Sequence, residues 1–118
     1  MSKSKKRAVR SAFRKAVFGR ADYRCECCGV VGEDRQDCQS SAAVMLDAHH
    51  ITNRNQMPNG GYVQENGISV CEHCHSKAEQ YWSTGTAVDG FSPSNLYELI
   101  GSNFQLALKA SEQMSSPK

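Results

Sequence analysis

Two C-x-x-C pairs, Cys25–Cys28 and Cys71–Cys74, constrain the fold of this chain more than any other feature. The spacing lets both thiolates of a pair reach one ion at about 2.3 Å, and two pairs complete a tetrahedral zinc site. Disulfides or a redox pair are the alternative. No apolar segment follows the charged N-terminal residues, so we expect a cytoplasmic location, where paired cysteines more often bind metal. We therefore predict a structural Zn²⁺ held by four cysteines.

Two further cysteines, Cys27 and Cys38, receive no functional assignment. Cys27 could compete with Cys28 for the metal, but the two-residue gap of a zinc knuckle favours Cys28. Cys38 lies in a polar stretch and is expected to be a spare thiol.

The segment between the two pairs is too long for a simple zinc ribbon. It contains 42 residues, 29–70, whereas a compact ribbon has about 15–20. An additional element must therefore be inserted, and this segment contains the adjacent histidines His49 and His50. They end an apolar, branched stretch, VMLDAHHI (44–51), which predicts a strand. Because neighbours on a strand point to opposite faces, packing alone does not explain the pair.

The remaining pattern predicts a small mixed α+β domain. The chain has 118 residues, the length of one domain, and no apolar run long enough to span a membrane. Apolar residues recur at helical spacing over 7–18, with Gly19 as the stop. The predicted elements that follow are a loop over 30–41, strands over 44–51 and 68–71, and a helix over 72–82 that ends near Gly85. The C-terminal residues 94–113 predict one kinked helix or two, with Ser94 or Asn95 as the N-cap and a division near Gly101–Ser102. We divide the chain into a basic arm with its helix (1–24), a core (25–85) and a C-terminal helical extension (86–118).

Charge is distributed very unevenly along the chain. Residues 1–24 hold nine basic residues and one acid, a net charge of +8, whereas residues 25–118 hold five bases and eleven acids, a net charge of −6. A basic arm on an acidic body is typical of a protein that binds a polyanion, nucleic acid first. A solvated, partly disordered tail would show the same composition, so charge alone leaves both interpretations open.

In order and spacing, the motifs resemble the HNH nucleases of the ββα-metal (His-Me finger) group over about residues 23–80. The matching segments are Cys25-Glu-Cys-Cys28-Gly29, Asp47-Ala-His49-His50-Ile51, Gly60-Gly61, Asn66-Gly-Ile-Ser-Val-Cys71 and Glu72-His-Cys74-His75. The resemblance implies an α+β fold with a small ββα-metal, treble-clef-like core, stapled by a four-cysteine zinc site and flanked by helices. Gly67 and Val70 stand where many relatives have leucine, so we expect the second strand to pack less tightly.

The resemblance also implies roles for the polar residues. His50 would be the general base, His49 and His75 would hold one catalytic divalent ion, and Asn66 would orient His50 and the hairpin by hydrogen bonding. A neutral imidazole suits a general base because its ordinary pKa lies near neutral pH. Glu79, one helical turn after His75, could add a ligand, although an ordinary surface charge is the simpler interpretation.

The implied function is a DNA endonuclease that hydrolyses phosphodiester bonds and leaves 5′-phosphate and 3′-hydroxyl ends. Mg²⁺ or Mn²⁺ would be the catalytic ion, with Ni²⁺ or Co²⁺ as imidazole-compatible alternatives. DNA would bind through the basic N-terminal region, no membrane would be involved, and the C-terminal helices could support a homodimer or simply cover the core. The rival function is a zinc-finger module that binds nucleic acid without cleaving it.

Overall fold

The computed structural model describes residues 3–37 and 43–114, and Cys38 lies outside these ranges. Within them the chain forms four helices and a three-stranded sheet, which confirms the mixed α+β class. The helices are α1 (Lys3–Ala21), α2 (Glu72–Thr84), α3 (Pro93–Leu99) and α4 (Phe104–Glu112), and the strands are β1 (Glu33–Asp34), β2 (Met45–His50) and β3 (Gly67–Cys71). None of the described helices is both long enough and apolar enough to cross a lipid bilayer.

Helix α1 is longer than the sequence predicted, and the stop assigned to Gly19 is wrong. The helix continues to Ala21, and the chain then turns through Asp22 and Tyr23, both in the left-handed region with φ of 54°. The Tyr23 amide donates to the Phe18 carbonyl at 3.0 Å, and the two rings stack. The contact between Phe18 and Tyr23 therefore fixes the turn after Ala21. Gly19 lies before this turn and keeps a helical conformation, so it does not act as the C-terminal glycine of the helix.

Packing of α1 on the sheet depends on the absence of a side chain at Gly67. A Cβ atom at this position would lie 2.5 Å from Val17 Cγ2 and 2.7 Å from Phe13 Cε1, well inside contact distance. Helix α1 therefore occupies the space that a larger residue would fill. All five residues of β3 are buried, so the expected looser packing of this strand is wrong.

The sheet places the histidine pair opposite the start of β3. Strand β2 runs antiparallel to β3, with His49 paired to Ile68 and His50 paired to Gly67. The two residues of β1 add a parallel edge, where the sequence predicted only loop. A strand this short carries no alternation that a sequence pattern could reveal. The predicted strands over 44–51 and 68–71 are confirmed as β2 and β3, with ends shifted by one residue.

Helices α2 to α4 agree with the sequence in number and approximate position. Helix α2 ends at Gly85, which has the left-handed φ of 78° expected of a C-cap glycine. The C-terminal region forms two helices, divided around Gly101. The N-cap of α3 is Ser92 and neither Ser94 nor Asn95, because Pro93 takes the first helical position and Asn95 completes a capping box with Ser92.

Helix α4 anchors the tight turn that precedes β3. The buried Ser111 accepts from the Gly61 amide at 3.1 Å and donates to the Pro58 carbonyl. Its backbone carbonyl accepts from Asn59 Nδ2 at 2.9 Å. The C-terminal extension therefore positions a loop of the central segment.

Candidate metal centre and catalytic cleft

Four cysteines converge at one end of the sheet. Cys25 and Cys28 lie in a turn in which the Gly29 amide donates to the Cys25 carbonyl, and Cys71 and Cys74 lie at the junction of β3 and α2. Their sulfur atoms all lie within 4.8 Å of one another, and Cys28 Sγ is 3.8 Å from Cys71 Sγ. Zinc–sulfur bonds of about 2.3 Å in a tetrahedron place sulfurs about 3.8 Å apart. The cluster is therefore compatible with a zinc site that joins the two ends of the inserted segment.

Cys27 lies outside this cluster although it is adjacent to Cys28. Its side chain is half-buried and packs against the hydrophobic core. Burial raises the pKa of the Cys27 thiol to about 12, with the neighbouring cysteines adding to the effect. Cys27 thus packs as a core residue outside the four-sulfur cluster, which agrees with the choice of Cys28 as ligand.

A second group of possible metal ligands lies between β2 and α2. Ligand atoms of His49, His75 and Glu79 lie within 4.8 Å of one another. His49 is 2% exposed, and its buried Nε2 has no hydrogen-bond partner among the described residues. The His49 ring stacks on the Trp82 indole, with centroids 4.7 Å apart. Burial lowers the pKa of His49 to about 3, so the ring stays neutral and keeps a lone pair for a metal.

Asp47 and Glu79 hold the His75 ring from opposite sides. His75 Nδ1 lies 3.4 Å from Asp47 Oδ2, and His75 Nε2 lies 2.9 Å from Glu79 Oε1. The hydrogen bond to Asp47 raises the pKa of His75. Burial alone would raise the pKa of Asp47, but hydrogen bonds from His75 and Arg35 lower it to about 2. With Nδ1–H directed at a carboxylate, Nε2 and Glu79 are two acceptors that need a proton or a metal cation between them. The donor set therefore fits a divalent ion.

His50 lies in an aromatic environment on the other side of the strand end. Its ring stacks on Phe13 of α1 with centroids 4.6 Å apart, and the Tyr62 ring meets it edge-on, also at 4.6 Å. The buried Nε2 has no hydrogen-bond partner among the described residues. Burial, followed by the charge of Arg54, lowers the pKa of His50 to about 4, so the imidazole is neutral at neutral pH. The neutral ring has an unused nitrogen that can accept a proton, although the lowered pKa makes it a weaker base than an ordinary imidazole.

One cleft connects the two histidines. It has a volume of about 360 Å³ and is lined by Ala48, His49, His50, Asn53, Arg54, Asn55, His75, Glu79 and Trp82. The structure thus brings His49, His50 and His75 to one cavity. His73, the remaining histidine, is exposed on α2 and does not line the cleft.

Asn66 is fully buried and acts on the loops around the cleft. Its Oδ1 accepts from the Thr52 amide at 2.9 Å and from the Tyr97 hydroxyl at 2.8 Å. Its Nδ2 donates to the carbonyls of Thr52 at 3.1 Å and Gly61 at 3.2 Å. These four bonds use the full capacity of the amide, so the expected direct hydrogen bond to His50 is absent among the described contacts. Asn66 instead fixes the chain just after the histidine pair.

Sequence reasoning missed several residues that shape the cleft. Trp82, Phe13 and Tyr62 contact the histidine rings, and Arg35 fixes Asp47 through a bidentate ion pair at 2.8 and 3.0 Å. The i, i+4 spacing of His75 and Glu79 was the one available signal, and the structure places Glu79 beside His75. The aromatic contacts join distant segments, so no local pattern encodes them.

Comparison with known proteins places the central segment in one family. The HNH endonuclease family model matches residues 25–80, which include both cysteine pairs, the histidine pair, Asn66 and His75. No curated protein and no solved structure shows significant similarity to the chain. The family match indicates a nuclease or nucleic-acid-binding role. The match to residues 25–80 confirms the resemblance to HNH nucleases inferred from the sequence.

Proposed function

We propose that this protein is a divalent-metal-dependent DNA endonuclease. The observation that carries the proposal is the pair of buried, unpartnered Nε2 atoms of His49 and His50, both in residues that line one cleft with His75. A buried polar atom without a partner is costly, and such atoms are typical of sites that bind a ligand. One such nitrogen suits a metal ion and the other a water molecule.

In the proposed reaction, His50 removes a proton from the attacking water. Phe13 and Tyr62 fix the plane of its ring, so the nitrogen needs little reorganisation as the proton moves. The ring is neutral at neutral pH, as a base must be before the reaction.

His49, His75 and Glu79 are the side chains that would hold the divalent ion. When bound, the ion supplies positive charge for the scissile phosphate and for the leaving 3′ oxygen. Asp47 orients His75 by accepting from Nδ1, and Trp82 fixes the His49 ring by stacking. Carboxylate–histidine–metal arrangements of this kind raise the basicity of the ligating nitrogen. Asn66 keeps Thr52 and Gly61 in place beside the cleft.

Exposed cations on α1 and a cation in the cleft support nucleic acid as the substrate. Arg7, Arg10 and Lys15 are exposed on α1, and Arg54 lines the cleft. Two other arginines of the N-terminal region serve the fold instead. Arg14 pairs with Asp34 at 3.1 Å, and Arg20 pairs with Glu26 at 2.6 Å. The surface available to phosphates is therefore smaller than the charge of the N-terminal region suggests.

Cleavage of supercoiled plasmid tests this function. Zinc-loaded wild type, His50→Ala and His73→Ala are incubated with the plasmid under a metal chelator and then under Mg²⁺, Mn²⁺ or Ni²⁺. We expect nicked or linear plasmid from wild type and His73→Ala only with added ion, and none from His50→Ala. His73→Ala is the matched control because it removes an exposed imidazole outside the cleft.

The rival functions predict different results. Equal DNA binding by all three proteins without cleavage under any ion would make this a zinc-stapled binding module. A redox protein would contain no zinc and would have reducible cysteine pairs, so atomic emission spectroscopy of the purified protein separates it from both. Unchanged circular dichroism of His50→Ala is required before its inactivity is assigned to the lost base.

A further inference from the structure

Two guanidinium groups converge on the hydroxyl of Tyr62. Arg54 Nη1 donates a hydrogen bond to this oxygen at 3.1 Å, and Arg10 of α1 lies close enough that it also lowers the pKa of the hydroxyl. Both arginines are exposed, whereas the Tyr62 ring is half-buried against His50. Burial raises the pKa of Tyr62, but the two arginines lower it by a larger amount. The net shift of the pKa is therefore downward. The hydroxyl therefore holds two cationic groups from distant segments close together.

This pair of positive charges is not neutralised within the part of the chain that the structure describes. Three arginines elsewhere do have carboxylate partners: Arg14 with Asp34, Arg20 with Glu26, and Arg35 with Asp47. Neither Arg10 nor Arg54 has an ion pair with a described carboxylate. Like charges held together repel one another, and an anion bound between them removes that repulsion. The geometry thus favours an anion at this position.

The position of the pair relative to the cleft indicates which anion fits. Arg54 lines the cleft that contains His49, His50 and His75. Tyr62 meets the His50 ring edge-on with centroids 4.6 Å apart. Guanidinium groups form bidentate hydrogen bonds with phosphate oxygens, and a hydroxyl can donate a third bond. A phosphate held here would be a near neighbour of the phosphate attacked beside His50.

We propose that Arg10, Arg54 and Tyr62 form a phosphate clamp that holds the backbone phosphate next to the scissile one. The proposal rests on the proposed nuclease function, because the substrate strand must cross the same cleft. The clamp fixes the strand on one side of His50, while the metal ligands lie on the other side. Helix α1 thereby contributes both a wall for His50, through Phe13, and a substrate contact, through Arg10.

Salt-dependent binding of a fluorescent duplex oligonucleotide, without added divalent ion, tests the clamp. The variants are Arg10→Gln, Arg54→Gln and the double variant, each checked for wild-type zinc content and circular dichroism. The control is Lys109→Gln, which removes the same charge from α4, away from the residues that line the cleft. Plasmid cleavage by wild type is measured on the same preparation.

We expect each clamp variant to weaken binding about tenfold, as the loss of a charge-assisted hydrogen bond to phosphate would. The slope of log affinity against log salt should fall by about 0.9 in the double variant, the value for one duplex phosphate. Lys109→Gln should bind like wild type. Clamp variants that bind as tightly as Lys109→Gln, with an unchanged slope, would overturn the clamp even if wild type cleaves plasmid. Weakened binding by the clamp variants, with no cleavage by wild type, would keep a phosphate site at Arg10, Arg54 and Tyr62 but overturn its placement beside a scissile phosphate, together with the nuclease.

Discussion

Replacing Asn66 with alanine tests how the loops around the cleft are held. The substitution removes four hydrogen bonds, to Thr52, Gly61 and Tyr97, from a fully buried side chain. Each bond contributes about 1 kcal/mol net, and a buried partner left unpaired costs about 1–3 kcal/mol. Tyr97 keeps its hydrogen bond to Thr52 Oγ1 at 2.7 Å. We therefore expect Asn66→Ala to lower the free energy of unfolding by about 3–5 kcal/mol, a large part of the about 5–15 kcal/mol typical of a domain.

Ser69→Ala provides a matched control on the neighbouring strand. Ser69 is as deeply buried as Asn66, but its hydroxyl has no hydrogen-bond partner among the described residues. Removing it should change the free energy of unfolding by less than about 0.5 kcal/mol, because no bond is lost. Urea denaturation followed by circular dichroism measures both variants, at one fixed zinc concentration because bound zinc adds to apparent stability.

The comparison of these two variants can refute the reasoning. A loss below about 1 kcal/mol for Asn66→Ala would mean that its hydrogen bonds do not hold the loops. An equal loss for Ser69→Ala would mean that volume in this part of the core matters more than hydrogen bonding. If the network acts as described, Asn66→Ala that is still folded at low temperature should also lose plasmid cleavage.

Three further predictions concern the metal, the helix contact and the cleft. Cys71→Ser should lose zinc and unfold, whereas Cys27→Ser should keep both zinc and fold, as measured by atomic emission and circular dichroism. Gly67→Ala should lower the free energy of unfolding in urea by about 1–3 kcal/mol, because the added methyl group overlaps α1. If the urea midpoint of Gly67→Ala equals that of wild type, α1 moves away from the added methyl group without a loss of stability. Trp82→Ala should raise the Mn²⁺ concentration needed for half-maximal cleavage, whereas Tyr81→Ala, at the neighbouring exposed position, should not. If both variants raise this concentration equally, the loss of stacking on His49 is not the reason for the higher Mn²⁺ requirement.

Local sequence patterns predicted most of the architecture. The cysteine spacing indicated the zinc cluster, and the apolar stretches indicated β2, β3 and α2, because each signal lies within a few residues of chain. The same reasoning failed where a local rule competed with a distant contact. Gly19 would have ended an isolated helix, but packing of Phe18 and Tyr23 moved the end of α1 to Ala21.

The candidate site was predictable in its histidines and not in their surroundings. The spacing of the motifs identified His49, His50 and His75 as candidate site residues, and the structure brings them to one cleft. The orientation of each ring depends on groups that the chain supplies from elsewhere, such as Phe13 from α1 and Asp47 from β2. Single-sequence periodicity contains no information on contacts of this kind, because either partner alone is an ordinary core or surface residue.

The anchoring of the turn before β3 by Ser111 has a consequence for synthesis of the chain. A ribosome adds Ser111 after every histidine and cysteine of the site, so those residues emerge before their supporting helix exists. During that interval the nascent chain can bind zinc through its cysteines, but the loop beside the cleft lacks one of its fixed points. We expect this loop to reach its final geometry only after Ser111 has been added, so the proposed hydrolytic activity would appear after the synthesis of α4 and not with that of the histidines.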